Sequence, residues 1–178
     1  MQARGLLMTE HRLIEKMIGA IQRALGRTAQ TQSIDPSFID TVVDFFQVYA
    51  DRTHHGKEED VLFRDLRKKG LSPEDGRLMK ELIEDHVLGR QTIKALAEAN
   101  MRYRKGEGKA LPEMTARLRA LVDLYPKHID KEDKIFFPAA LTYLSTEEDR
   151  AMLAEFWEFD KKMIHDRYRA VVQGLEGN

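Results

Sequence analysis

One pattern occurs twice in this chain and restricts the fold more than any other feature. His54-His-Gly-Lys-Glu58-Glu-Asp-Val-Leu-Phe63 returns as His128-Ile-Asp-Lys-Glu132-Asp-Lys-Ile-Phe-Phe137. In each copy a histidine precedes a glutamate by four residues, a lysine lies between them, and a phenylalanine follows five residues after the glutamate. On a helix the four-residue spacing stacks imidazole over carboxylate on one face, a single turn apart. A chain with two such segments must therefore bring two helices together and find a partner for the buried carboxylates.

The surrounding periodicity is helical throughout. Leu7, Ile14, Ile18, Ile21 and Leu25 recur at spacings of three and four, with His11 on the same stripe, and predict a first helix over about residues 5–26. Asp35-Pro36 supplies an N-cap and a first-turn proline for a second helix over about 36–69, ended by Gly70. Ser72-Pro73-Glu74-Asp75 opens a third, with an inner stripe of Met79, Ile83, His86, Arg90, Ile93 and Ala97. A fourth, over about 111–143, carries Met114, Leu118, Leu121, Tyr125, His128, Glu132 and Ile135, with Pro126 and Pro138 as points of bending. Ser145 and Glu148 form a capping box before a fifth helix over about 146–173, whose face includes Met152, Phe156, Phe159, Met163 and Ile164. These predict an all-α fold in one domain spanning residues 1–178. An antiparallel up-down four-helix bundle (core about 5–143) carries an additional C-terminal helix.

Composition removes several function classes. There is no cysteine, so any metal is held by nitrogen and oxygen, and disulfides and iron–sulfur clusters are excluded. A formal charge of -1 with no large basic block gives no nucleic-acid footprint. No apolar run is long enough for a membrane span or a signal peptide, so a soluble cytoplasmic protein is expected.

A single His-x-x-x-Glu is an ordinary surface pair, and a lone core histidine is ordinarily structural. Doubling the pattern with matched phenylalanines, beside His11 and His86 on apolar stripes, points instead to metal. His11, His54, Glu58, His86, His128 and Glu132 are the candidate ligands for two divalent ions, either glutamate being able to bridge. Imidazole and carboxylate without thiolate favour iron, with manganese or zinc as alternatives.

These segments, with Thr9–Glu15 and Glu84–Arg90 flanking them, resemble the hemerythrin-like family, the HHE cation-binding domain, over about residues 5–140. The resemblance implies a four-helix bundle around a non-haem diiron centre held by the same six residues. Two features depart from the oxygen-carrying hemerythrins. Arg90 stands where their third helix has a second histidine, and Glu132 offers a four-residue spacing where they use an aspartate at five. Four histidines instead of five would leave an extra open position. Ferritin-like bundles use Glu-x-x-His pairs, an order neither copy has.

Around this set, Tyr125, Arg90 and Asp51 are expected to support the ligands: Tyr125 by a hydrogen bond at the metal level or as a core tyrosine, Asp51 by orienting His54, Arg90 by turning toward a carboxylate or a bound anion. His55 is expected to face solvent, Glu59 and Asp133 to form outward salt bridges, and His165 to be structural or exposed. Three functions fit: binding of dioxygen or another small gas; redox turnover of dioxygen, peroxide or nitric oxide with an external electron donor; or iron handling and metal-dependent signalling. The C-terminal helix offers a surface for a protein partner or for a second copy of the chain.

Overall fold

The computed structural model describes residues 2–161 and 165–176, without the side chains of residues 165–167 and 170. Among the described residues the secondary structure is entirely helical. Helix α1 (Ala3–Thr31) runs beyond its predicted end and stops where Gln32 adopts the left-handed conformation. The second long helix starts as α2 (Pro36–Asp44), with the Asp35 carboxylate accepting from the Ser37 N–H, and widens into π-helical backbone at Phe45–His55. It widens again at Glu58–Leu62 and finishes as α3 (Phe63–Leu66). Helix α4 (Pro73–Arg104) is capped by Ser72. Helix α5 (Ala110–Lys131) passes through a π-helical turn at Glu132–Phe136 into α6 (Phe137–Ala140).

These segments pack as a bundle in which α1 lies beside α5, α5 beside α4, and α4 beside α2. Side-chain contacts fix the alternating directions: Asn100, late in α4, donates to Pro36 and Asp40 at the start of α2. Tyr143, after α6, accepts from the Ser72 N–H at the start of α4. The fifth segment is described as α7 (Thr146–Lys161) and α8 (His165–Glu176). Its capping box is in place, Glu148 N–H donating to Ser145 Oγ and Ser145 N–H to the Glu148 carboxylate. Helix α7 packs on α1 and on the Glu58–Leu62 turn, and α8 packs on α1 and the Phe45–His55 segment. Met163 and Ile164, expected on this apolar face, lie outside the described residues, as does the side chain of His165.

Two apolar clusters fill the bundle. One gathers Ile14, Met17, Ile21, Phe45, Phe46, Leu96 and Leu118; the other gathers Leu7, Leu62, Phe63, Leu82, Phe136, Phe137 and Phe156. The buried histidines and glutamates occupy the layer between them. One register prediction fails there. Ile135, expected to continue the α5 stripe, is 57% exposed, and Phe136 takes the buried place. The π turn beginning at Glu132 uses an additional residue per revolution and so advances the inward position by one.

Candidate metal centre

Each of the four bundle helices delivers its histidine to the same level. His11, His54, His86, His128, Glu58 and Glu132 are all at most 3% exposed. Their donor atoms form two groups that share Glu58, one of His11, His54, Glu58 and Glu132 and the other of His55, Glu58, His86 and His128. Within each, the donor atoms lie within 4.8 Å of one another. The glutamates span both. Glu58 sets one oxygen 3.4 Å from His54 Nε2 and the other 3.4 Å from His86 Nε2. Glu132 sets one oxygen 3.2 Å from His11 Nε2 and 3.3 Å from His128 Nε2, and the other 3.9 Å from His86 Nε2.

The hydrogen-bond inventory tests whether a cation fits. His11 Nε2, His54 Nε2, both His55 nitrogens and all four oxygens of Glu58 and Glu132 are buried without a hydrogen-bond partner. His86 Nε2 and His128 Nε2 meet at 3.2 Å, both aimed at one point. Buried polar atoms are almost always satisfied, each exception costing on the order of 1–3 kcal/mol. So many orphaned lone pairs converging on one place have one common remedy, divalent metal, and the all-N/O donor set suits iron, manganese or zinc.

The other ring nitrogen of four of these histidines is tied to a carboxylate. His11 Nδ1 lies 2.7 Å from Asp133, His86 Nδ1 2.7 Å from Glu59, His54 Nδ1 2.9 Å from Glu10 and His128 Nδ1 3.3 Å from Asp85. Such a bond fixes the tautomer, directs Nε2 to the centre and raises its basicity. A cation then holds each carboxylate: Arg12 on Asp133, Arg90 on Glu59, Lys57 on Glu10 and Lys131 on Asp85. The motif phenylalanines complete the repeat, Phe137 stacking on His11 at 5.8 Å and Phe63 on His86 at 6.1 Å. The lysine and the phenylalanine of each copy, and the acidic residue after each ligand glutamate, thus act across to a neighbouring helix.

The electrostatics follow from this packing. Burial and the charge of Glu132 push Glu58 well above the ordinary carboxylate value. Burial raises Glu132 as well, but His128, His11 and His86 pull it well below. Burial lowers His11, yet Asp133 and Glu132 outweigh it and hold the ring up at about 9, whereas burial and the charge of His11 bring His54 down to about 4. Glu58 and His11 thus favour their protonated forms and His54 and Glu132 their unprotonated ones, and a cation bound at these atoms would compete with the protons of the first two.

Three expectations need correction. His55 does not face solvent: it is 3% exposed, its ring stacks on His86 at 3.8 Å, and it belongs to the second donor group. It lies in π-helical backbone, whose wider turn separates successive side chains by a smaller angle than an α-helix, so His54 and His55 both point inward. The signal was present, since His55 and Glu58 are three apart and i,i+3 also shares a face. The centre therefore holds five imidazoles, not four. Asp51 does not serve His54, whose Nδ1 belongs to Glu10; it binds Arg90 at 2.7 Å and lies 3.4 Å from His55 Nδ1. Glu59 and Asp133 make salt bridges, as expected, but their carboxylates turn in to His86 and His11.

Arg90 sits at the rim, one step from His86 through Glu59. Tyr125 is buried, its ring 6.4 Å from those of His55 and His128, and makes no hydrogen bond to a cluster side chain. With His55 and Arg90 it lines a cavity of about 340 Å³ that Gly89 leaves open; a Cβ at Gly89 would stand 3.2 Å from the Tyr125 hydroxyl.

A bundle with two histidine–glutamate clusters that share Glu58 fits a dinuclear metal-binding protein. The sequence matches the hemerythrin HHE cation-binding domain over residues 3–140, and the chain belongs to that family. No curated protein and no solved structure matches it. Helices α7 and α8 follow the matched segment. No helix among the described residues is long and apolar enough to cross a membrane.

Proposed function

We propose that this is a cytoplasmic non-haem diiron protein that binds dioxygen or another small gas for sensing, transfer or protection, with His11, His54, His55, Glu58, His86, His128 and Glu132 as ligands. The observation that carries the reading is the set of orphaned donor atoms, arranged so that Glu58 and Glu132 each face both halves. A bound ferrous pair supplies electrons to a small oxidant. The chain's own residues do the rest. The half built on His55, His86 and His128 has three imidazoles, and the half built on His11 and His54 has two. Each group supplies four protein donors, so an ion held by either would have room for an external ligand. Phe63 and Phe137 cover the rings, and the two apolar clusters exclude water from above and below the layer, which protects a reduced centre from proton delivery and side reactions.

The test is anaerobic reconstitution of metal-free protein with ferrous ion, followed by metal analysis and optical spectra in oxygen and after argon purging. Two irons per chain and a charge-transfer band that appears in oxygen and fades under argon are expected. Irreversible conversion to a stable diferric spectrum would replace gas binding by reductive turnover of dioxygen, peroxide or nitric oxide with an external electron donor. Failure to retain stoichiometric metal would overturn the assignment.

A further inference from the structure

The four carboxylates that orient ligand histidines are all held by cations of the family-matched segment, three of them by cations at the surface: Asp133 by Arg12, Glu59 by Arg90 and Asp85 by Lys131. Those three cations are partly exposed, at 54%, 38% and 29%. The fourth is different. Glu10 is held by Lys57, which is 0% exposed, and the Lys57 ammonium also donates to Asp160 on α7 at 2.6 Å. A buried ammonium carries three donors and is costly unless they find acceptors. Glu10 and Asp160 provide acceptors here, and the Phe156 ring, also from α7, lies 5.9 Å from the nitrogen.

We infer that Asp160 is a positioning residue for the metal centre: through Lys57 and Glu10 it sets the ring of His54, so that α7, outside the matched domain, controls the half of the centre built on His11 and His54. The inference rests on the dinuclear metal reading above. It is not a general consequence of α7 docking. The Arg64–Glu155 pair, at 2.8 Å, fastens the same helix without touching any residue of the chain from Asp160 to His54.

Cobalt(II) is the probe, titrated anaerobically into metal-free protein spanning residues 1–178 while its d–d absorption is recorded. The wild type should take up two ions. Asp160→Asn, nearly isosteric, should weaken one of the two binding steps by roughly tenfold, the lower end for loss of an outer partner, and change the d–d bands of that ion alone. Asp160→Glu should restore the step. Lys57→Met breaks the chain one link nearer the metal and should weaken the same step, which keeps the test available should Asp160→Asn not fold. Glu155→Ala, which loosens α7 elsewhere, should leave both steps and both spectra unchanged. An Asp160→Asn titration identical to wild type overturns the inference and leaves the metal centre standing. So does an equal shift in Glu155→Ala, which would reduce Asp160 to a docking contact. No cobalt uptake by the wild type would overturn the metal reading itself, and this inference with it.

Discussion

A histidine that coordinates metal has to present one nitrogen and surrender the other, and this chain arranges the surrender for four of five rings with a carboxylate on Nδ1. His55 is the exception. Neither of its nitrogens has a hydrogen bond, and Asp51, 3.4 Å from Nδ1, is already engaged by Arg90. Its place in the cluster can be tested by stoichiometry. His55→Ala removes a donor from one group only and should lower bound iron from two per chain toward one, whereas Glu58→Ala removes the donor common to both and should lower it below one. Metal analysis after anaerobic reconstitution checks both, and full occupancy in His55→Ala would return that residue to a packing role. His54, Glu58, His128 and Glu132 were legible in the sequence because the i,i+4 relation survives in either kind of helix turn, and His11 and His86 because they fall on apolar stripes. His55 was legible only through its i,i+3 relation to Glu58, because a wheel drawn at the α-helical angle turns it away from His54. The carboxylate partners were obscured for another reason: each acts on a histidine of a different helix, and spacing along one helix carries no information about that pairing.

At the level of elements, the repeated motif is matched by a repeated backbone device. Each proposed ligand glutamate is the first residue of a π-helical turn, Glu58–Leu62 and Glu132–Phe136. Such turns interrupt the α-helical ladder and recur at functional sites, where the local cost is tolerated for the sake of side-chain direction. Helix starts were readable because capping chemistry is local; Asp35, Ser72 and Ser145 all cap as their side chains allow. The π turns were not, since no residue type enforces them and packing against neighbouring helices selects them. Ile135 gives a direct probe, being the exposed residue that the wide turn accommodates. Its deletion should let the segment return to α-helix with Phe136 and Phe137 still inward. The metal-free protein should then melt no lower than wild type, while iron affinity falls by roughly tenfold as Glu132 loses its orientation. Thermal melting together with competitive chelator titration measures both; unchanged affinity would show that the π turn is incidental to Glu132.

Across the whole molecule, a polar layer divides what would otherwise be one continuous apolar core, and that layer is stabilising only if its donors are satisfied. The periodicity predicts the order and alternation of the helices, because each apolar stripe needs a partner and short connections join antiparallel neighbours. It does not predict that α7 reaches the ligand layer, since Asp160 and Lys57 lie far apart in the chain and neither belongs to an apolar stripe. The energetic consequence is a fold linked to its metal. An ion that binds only the folded chain stabilises it by about 2.7 kcal/mol at a free concentration one hundred times its Kd. In a chain of this length each kcal/mol moves Tm by about 2–4 °C, so loading even one site should raise Tm by roughly 5–11 °C. Calorimetry of chelator-stripped and ferrous-reconstituted protein under anaerobic conditions measures the difference. Tm should climb further with the logarithm of free metal, and the increment should shrink in Glu58→Ala. A melting temperature indifferent to metal would mean that the orphaned donors are satisfied in some other way, most simply by protons on the carboxylates, and that the layer is a structural polar core.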